Sequence, residues 1–135
     1  MRYLLDTDTL SNLLRPSPSP HLVQQLALTP QDEQATSTIT AGELYFGAWR
    51  RRPGGSNLLE RIEATLANTT VLAFDTGAAR VYGELRAELE RLGTPIGDAD
   101  TRIAAIALVH DLTVVTANVR HFERVPGLPV ENWLQ

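Results

Sequence analysis

Residues 95–122, PIGDADTRIAAIALVHDLTVVTANVRHF, decide the fold of this chain. Residues 103–109 would be apolar around the whole circumference of a helix, which is typical of a helix inside a protein. After a turn, residues 112–116 form a short β-branched run that is apolar on both faces, as in the interior strands of parallel sheets. Because ligands bind beyond the carboxyl ends of parallel strands, this stretch predicts a site near Thr116 and Asn118.

The rest of the chain alternates strand-like and helix-like segments. Strands are predicted at residues 2–6, 34–39, 71–74 and 130–133, and helices at residues 8–14, 22–28, 40–52, 57–66 and 76–92. This alternation predicts a three-layer α/β/α fold with a mostly parallel central sheet. The length, with 43% hydrophobic and 21% charged residues, favours a single domain spanning residues 1–135.

The composition excludes several classes of site. The chain has no cysteine, so disulfides and thiolate metal sites are excluded, and a metal would need oxygen or imidazole ligands. No apolar run is long enough to cross a bilayer, and the first residues resemble a strand rather than a signal peptide. We therefore expect a cytoplasmic protein without a membrane partner. The net charge of −4 argues mildly against broad electrostatic binding of nucleic acid.

Four acidic residues fall at predicted strand ends or helix starts: Asp6, Glu43, Asp98 and Asp100. In a parallel sheet with right-handed crossovers they can share one edge. Each has a structural alternative, because Asp98 can cap a helix, the helix dipole favours Asp100, and Thr40 and Glu43 have the spacing of a capping box. Gathered carboxylates repel one another, however, and a bound cation would remove that repulsion.

The chemistry that such a site favours is metal-dependent hydrolysis of a phosphodiester. Carboxylates that leave open coordination positions are typical of Mg²⁺ or Mn²⁺ sites, where the ion activates water and stabilises the leaving oxygen. Arginines at residues 50–52, Arg120 and Arg124 are candidates for phosphate contacts, although an exposed arginine run is at least as often a solvated surface. We interpret His121, which precedes Phe122, as structural.

Four motifs, in order, resemble those of the PIN-domain ribonucleases, and within them the VapC-type toxins of bacterial toxin–antitoxin pairs. They cover nearly the whole chain: YLLDTD at residues 3–8, ITAGEL at 39–44, IGDADTRIAA at 96–105, and LTVVTANVRHF at 112–122, followed by VPGL at 125–128. The order and spacing of the four make the resemblance specific.

The resemblance implies a site for Mg²⁺ or Mn²⁺ and names its residues. Asp6, Glu43 and Asp100 match the family's catalytic and metal-binding acids, and Asp98 is an additional acid that many members have. Asn118 stands where relatives often carry Asp, and its carbonyl oxygen can still coordinate a metal. Two further residues of the last motif are predicted substrate contacts, Thr116 and Arg120.

The resemblance also implies what this chain binds. The expected partners are an RNA substrate, a second copy of the chain in a homodimer, and a cognate antitoxin whose C-terminal segment reaches into the active site. The expected activity is endoribonuclease cleavage by the toxin of a toxin–antitoxin pair.

Two other functions stay open at this point. Asp6 and Asp8 also resemble the first motif of haloacid-dehalogenase-like phosphatases, with Asp6 as nucleophile and Asp8 as general acid/base. Those enzymes place a lysine beside the aspartyl phosphate, whereas all 12 basic residues here are arginine, and Glu43 would have no role. The third interpretation is a catalytically inactive regulator that binds RNA or protein. In that case Asn118, in place of the Asp that relatives often carry, would reflect lost catalysis.

Overall fold

The structure is a computed structural model that describes residues 1–51 and 54–135. Its strands and α-helices are β1 (Tyr3–Leu5), α1 (Thr7–Leu13), α2 (Pro20–Leu28), β2 (Gln34–Ser37), α3 (Thr38–Arg50), α4 (Ser56–Ala67), β3 (Thr70–Leu72), α5 (Thr76–Arg91), α6 (Asp98–Val109), β4 (Thr113–Val115), α7 (Val119–Phe122) and β5 (Val130–Glu131). A 3₁₀ helix at Gln31–Glu33 precedes β2. Within the described residues, no helix is long and apolar enough to cross a bilayer.

The five strands form one parallel sheet in the order β3-β2-β1-β4-β5. The chain adds β2 and β3 on one side of β1 and then crosses back to add β4 and β5 on the other. The direction of winding therefore reverses between β1 and β4, which is the position where parallel α/β sheets open a crevice at their carboxyl ends. The predicted α/β fold with a parallel sheet is confirmed.

Helices cover both faces of the sheet because alternate strand residues point to opposite sides. Leu4 of β1 packs in a core with α5, α6 and α7, whereas Tyr3 and Leu5 pack in a second core with α1 to α4. The helix predicted to be buried is confirmed as the centre of the first core, since residues 103–107 of α6 are fully buried. This packing fixes the first turn of α6 beside the crevice.

Some local predictions were wrong. The second strand ends at Ser37, whose hydroxyl oxygen accepts a hydrogen bond from the Thr40 amide at 3.0 Å, so Ser37 caps α3 and the proposed capping box does not form. Gly97, with φ +93°, precedes α6 in the cap position, and Asp98 is the first helical residue. The third strand was predicted at residues 71–74, but β3 covers Thr70–Leu72, lies at the sheet edge and is partly exposed.

Candidate active site

Asp6 and Thr116 follow the two strands that flank the crevice. The Asp6 amide donates a hydrogen bond to the Val115 carbonyl at 2.9 Å, which ties the end of β1 to the end of β4. The Thr116 hydroxyl donates to Oδ2 of Asp6 at 2.9 Å. Both side chains are buried, with Asp6 only 5% exposed. The parallel sheet thus positions one carboxylate rigidly at the bottom of the crevice.

Asp8, in the first turn of α1, shares the same threonine. Both of its carboxylate oxygens lie 3.3 Å from the Thr116 hydroxyl oxygen, and Oδ2 also accepts a hydrogen bond from the Ala117 amide at 3.1 Å. A hydroxyl has only one proton, so Thr116 can donate to Asp6 or to Asp8 but not to both. Two carboxylates therefore compete for one donor.

The electrostatics of Asp6 follow from this crowding. The pKa of the Asp6 carboxyl is raised to about 7, mainly by burial, next by the negative charge of Asp8 and, more weakly, by that of Asp100. Its Oδ1 atom is buried and has no hydrogen-bond partner among the described residues. A buried carboxylate oxygen without a donor is costly unless a proton or a cation reaches it.

We expect the metal-free protein to lose stability as the pH rises from about 4 to 7. The folded state keeps the Asp6 proton up to a pKa of about 7, whereas the unfolded chain releases it near its ordinary value of 3.8, so proton release in this window favours unfolding. From this one group the loss is at most about 4 kcal/mol. Melting temperatures in EDTA between pH 4 and 8 measure it, with Asp6→Asn as the control. Parallel curves for the two proteins would contradict the prediction.

Glu43 reaches the same region from α3. Its Oε1 atom accepts a hydrogen bond from the Thr7 hydroxyl at 2.6 Å, and Thr7 directly follows Asp6. The Thr7 hydroxyl also lies 3.1 Å from the hydroxyl of Thr40, one turn before Glu43. Glu43 itself is exposed. The structure therefore places the Glu43 carboxylate beside the loop that carries Asp6, where it is accessible.

Asp100, Asn118 and His121 form the opposite wall. Oδ2 of Asp100 lies 3.1 Å from Nδ1 of His121 and 3.5 Å from Nδ2 of Asn118. Nδ1 of His121 and Nδ2 of Asn118 are 2.9 Å apart. The backbone amide of Asn118 donates a hydrogen bond to the Thr116 hydroxyl oxygen at 2.9 Å. Thr116 consequently links this wall to Asp6. The structure brings Asp6, Asp8, Glu43, Asp100 and Asn118 to one edge of the sheet.

The sequence interpretation missed the position of His121. It lies in the short helix α7, three residues after Asn118, and its imidazole contacts Asp100. Residues three apart lie on one face of a helix, so the spacing of Asn118 and His121 could have predicted that both side chains face the crevice. Arg120 lies on the same helix and is exposed.

Asp98 makes its contacts away from this group. Its carboxylate accepts a hydrogen bond from the Tyr82 hydroxyl and pairs with Arg102 at 2.9 Å and with Arg86 at 3.6 Å. The Tyr82 hydrogen bond and, after it, the charges of Arg102 and Arg86 lower the pKa of the Asp98 carboxyl. The additional acid of the motif therefore faces α5 and not the crevice.

The candidate phosphate-binding arginines are spread widely. Arg124 donates to the Pro95 carbonyl at 2.9 Å, and the guanidinium of Arg50 lies over the ring of Phe46 at 5.3 Å. Arg51 is exposed at the end of α3, and Arg52 lies outside the described residues. An open cavity of about 490 Å³ lies elsewhere, near Gln34 at the amino end of β2, and its lining is uncharged.

The donor set at the crevice fits a divalent cation. Among residues 1–51 and 54–135, no three acidic or histidine side chains stand close enough together to enclose an ion as they lie. The buried Oδ1 of Asp6, without a hydrogen-bond partner among the described residues, is nevertheless free to accept a cation in place of a proton, and the charges of Asp8 and Asp100 act on the same carboxylate. Oxygen donors of this kind match the preference of hard divalent ions.

Comparisons with known proteins identify the family of this chain. The PIN domain family matches residues 3–128. The chain is 38% identical to the tRNA(fMet)-specific endonuclease VapC of Salmonella typhimurium over 98% of both chains, and 32% identical to ribonuclease VapC2 of Rickettsia felis over the same shares. A chain in the crystal structure of DNA-bound VapBC from Salmonella typhimurium superposes with a TM-score of 0.90 at 37% identity, covering 98% of each. PIN-domain nucleases generally use a divalent metal ion. The chain belongs to the PIN-domain family and, within it, to the VapC toxin ribonucleases.

Proposed function

We propose that this VapC ribonuclease hydrolyses RNA at the crevice between β1 and β4, with Asp6, Glu43 and Asp100 as the acids that hold Mg²⁺ or Mn²⁺. The observation that carries the proposal is the buried Oδ1 of Asp6, which has no hydrogen-bond partner among the described residues and feels the charges of Asp8 and Asp100. A bound ion would activate water and offset the charge of the phosphodiester.

The protein groups around these acids have separate roles in the proposal. The Thr116 hydroxyl is fully buried and holds Asp6, so we assign it an orienting role rather than the substrate contact that the sequence predicted. Asn118 supplies a neutral ligand or orients a ligand next to Asp100. Arg120 is exposed on α7 beside this wall and is a candidate phosphate contact. Asp98, whose carboxylate faces α5, is left out of the metal set.

The phosphatase and regulator alternatives are not favoured. The match to the PIN domain family spans residues 3–128, and Glu43 contacts Thr7, the residue after Asp6, in a position for which a phosphatase has no use. The acids at the crevice also argue against an inactive regulator, because like charges around a buried carboxylate destabilise a fold that has no cation to bind.

We further propose that the partner of this chain is a cognate antitoxin, as in the solved VapBC complexes to which it is similar. The homodimer expected from the resemblance is part of the same proposal, and light scattering of the purified chain tests it. We also propose that the chain acts in the cytoplasm.

Cleavage of RNA by the purified chain tests the function. We expect a mixed pool of cellular RNA to be cut with Mg²⁺ or Mn²⁺, and not with EDTA. In Asp100→Asn we expect a loss of at least about a hundredfold, because even groups behind a metal ligand cost tenfold to a hundredfold when removed. Asp111→Asn, in the turn before β4, is the control and should cut normally. Cutting that resists EDTA, or an active Asp100→Asn, would contradict the proposal.

A further inference from the structure

A group of aromatic and charged side chains, here named the rim cluster, lies next to the proposed site. Its members are Phe74, Tyr82, Arg86, Asp98 and Arg102. The guanidinium carbon of Arg102 lies 5.4 Å from the ring centre of Phe74 and 5.5 Å from that of Tyr82. The two rings meet edge to face at 90° with their centres 5.6 Å apart. They hold the Arg102 guanidinium in a fixed orientation at the protein surface.

Asp98 pairs with both arginines of the rim cluster, and Arg86 pairs in addition with Glu90, whose Oε1 lies 3.1 Å from Nε of Arg86. Nη2 of Arg102 lies 2.9 Å from one carboxylate oxygen, and Nη1 of Arg86 lies 3.6 Å from the other. Tyr82 connects them, since its hydroxyl donates to Asp98 and accepts a hydrogen bond from Arg86 at 2.8 Å. The side chains of Arg86, Asp98 and Arg102 are 55%, 52% and 40% exposed. A ligand in solution can therefore reach all three.

The rim cluster lies at the same edge of the sheet as the crevice. Phe74 follows the carboxyl end of β3, and its amide donates to the Thr38 hydroxyl at the start of α3. Asp98 and Asp100 share the first turn of α6 and lie on different sides of it. A helix with its side chains is about 10 Å wide, so a strand of RNA passing over the start of α6 can contact both sides.

A role in folding alone explains the rim cluster poorly. The contact between α5 and α6 is already made by buried apolar side chains, including Leu85, Leu89 and Ile103. Ion pairs between exposed side chains add little to folding. The Nε atom of Arg102 is buried without a hydrogen-bond partner among the described residues, which is a cost that the fold alone does not require. Planar guanidinium groups are, in contrast, well suited to phosphates and to stacking against bases.

We propose that the rim cluster is a subsite for the RNA strand beside the scissile bond. Arg102 and Arg86 bind a backbone phosphate, which takes the place of the Asp98 carboxylate, and the Arg102 plane with its two rings offers a surface on which a base stacks. Asp98 then acts as an internal competitor of the phosphate and not as a metal ligand. This inference rests on the proposed ribonuclease function, because the strand enters the subsite from the crevice.

Three variants of the full chain test the subsite: Arg102→Gln, Asp98→Asn, and Arg91→Gln as the control. Arg91 is also an exposed arginine of α5, paired with Glu88, and is not a member of the rim cluster. Binding of mixed-sequence single-stranded RNA is measured in EDTA by fluorescence anisotropy over a range of salt concentrations. Values of kcat and KM are measured with Mn²⁺ or Mg²⁺, and thermal melts confirm that each variant folds.

The subsite predicts opposite effects for the two members of the ion pair. Arg102→Gln should weaken RNA binding about tenfold, and reduce the slope of log K against log salt by about 0.7, the value for one lost phosphate contact on a single strand. Asp98→Asn should tighten binding about threefold, because it removes a negative charge that opposes the phosphate. Neither should lower kcat by more than about twofold, and Arg91→Gln should match the wild type.

Each alternative result has a clear meaning. Wild-type cleavage with equal RNA affinity and salt slope in Arg102→Gln and Arg91→Gln would overturn the subsite and leave the ribonuclease intact. A large loss of kcat in a folded Asp98→Asn would also overturn it, in favour of Asp98 as a catalytic acid. A wild-type chain that neither binds nor cuts RNA would remove both the subsite and the function on which it rests.

Discussion

Asp6→Asn is expected to lower the rate of metal-dependent RNA cleavage by about a thousandfold or more. A metal ion contributes several kcal/mol to stabilising charge in a hydrolytic transition state, and each 1.36 kcal/mol is tenfold in rate. Asp6 is the buried carboxylate at the bottom of the crevice, with an unpartnered Oδ1 atom. Asparagine has nearly the same shape but no negative charge, so the proposed metal site would lose its most deeply buried ligand.

The same substitution should stabilise the metal-free protein above pH 7. It removes the ionised Asp6 carboxylate, which burial and the charge of Asp8 make unfavourable. The gain of up to about 4 kcal/mol is offset by about 1 to 3 kcal/mol for an asparagine amide left without a partner in the same place, so we expect a net gain of about 1 to 3 kcal/mol. Denaturant unfolding in EDTA at pH 8 measures it.

Asp32→Asn is the matched control for Asp6→Asn. Asp32 is exposed in the 3₁₀ helix that precedes the amino end of β2, at the opposite edge of the sheet. It should change neither cleavage nor stability by a measurable amount. An Asp6→Asn protein that is both inactive and less stable than the wild type would show that Asp6 holds the fold together, and would contradict our account of the charges at the crevice.

The sequence predicts the crevice well because it depends on topology. Asp6 and Thr116 follow short apolar strands, and in a parallel sheet the ends of such strands meet at one edge. The structure joins these two side chains directly, at 2.9 Å. That both residues lie at the carboxyl edge needs only a parallel sheet, which the alternation of strands and helices predicts. That β1 and β4 are neighbours in this sheet is known only from the structure.

Side-chain direction is the part that the sequence could not predict. Asp98 and Asp100 are two residues apart in the same motif, but two residues on a helix point to nearly opposite sides. Asp100 contacts His121, whereas Asp98 contacts Arg102 one helical turn later. Only the docking of α6 against α5 and β4 decides which of the two carboxylates faces the crevice. The capping-box alternative for Thr40 and Glu43 is excluded only by the structure, in which Ser37 caps the helix.

Glu43→Gln separates the ribonuclease from the phosphatase more sharply than any other substitution. In the proposed ribonuclease site Glu43 would hold the metal ion, so we expect cleavage to fall by at least about a hundredfold, beyond the tenfold to hundredfold loss typical of groups behind a ligand. In a phosphatase that uses Asp6 as nucleophile, Glu43 has no part in the chemistry. A phosphatase would therefore hydrolyse a small phosphate ester equally well with Glu43 or Gln at this position. We expect instead that neither the wild type nor the variant hydrolyses such an ester.

The fold should tolerate Glu43→Gln, so the loss of activity can be attributed to charge. Glu43 is exposed, and a glutamine side-chain oxygen can still accept the hydrogen bond that the Thr7 hydroxyl donates at 2.6 Å. Glu60→Gln, at an exposed position of α4, is the control and should cut RNA as the wild type does. Isothermal titration with Mn²⁺ should show weaker binding for Glu43→Gln alone. Full RNA cleavage by that variant would mean that the carboxylate beside Thr7 takes no part in holding the ion, and that Asp6 and Asp100 do so without it.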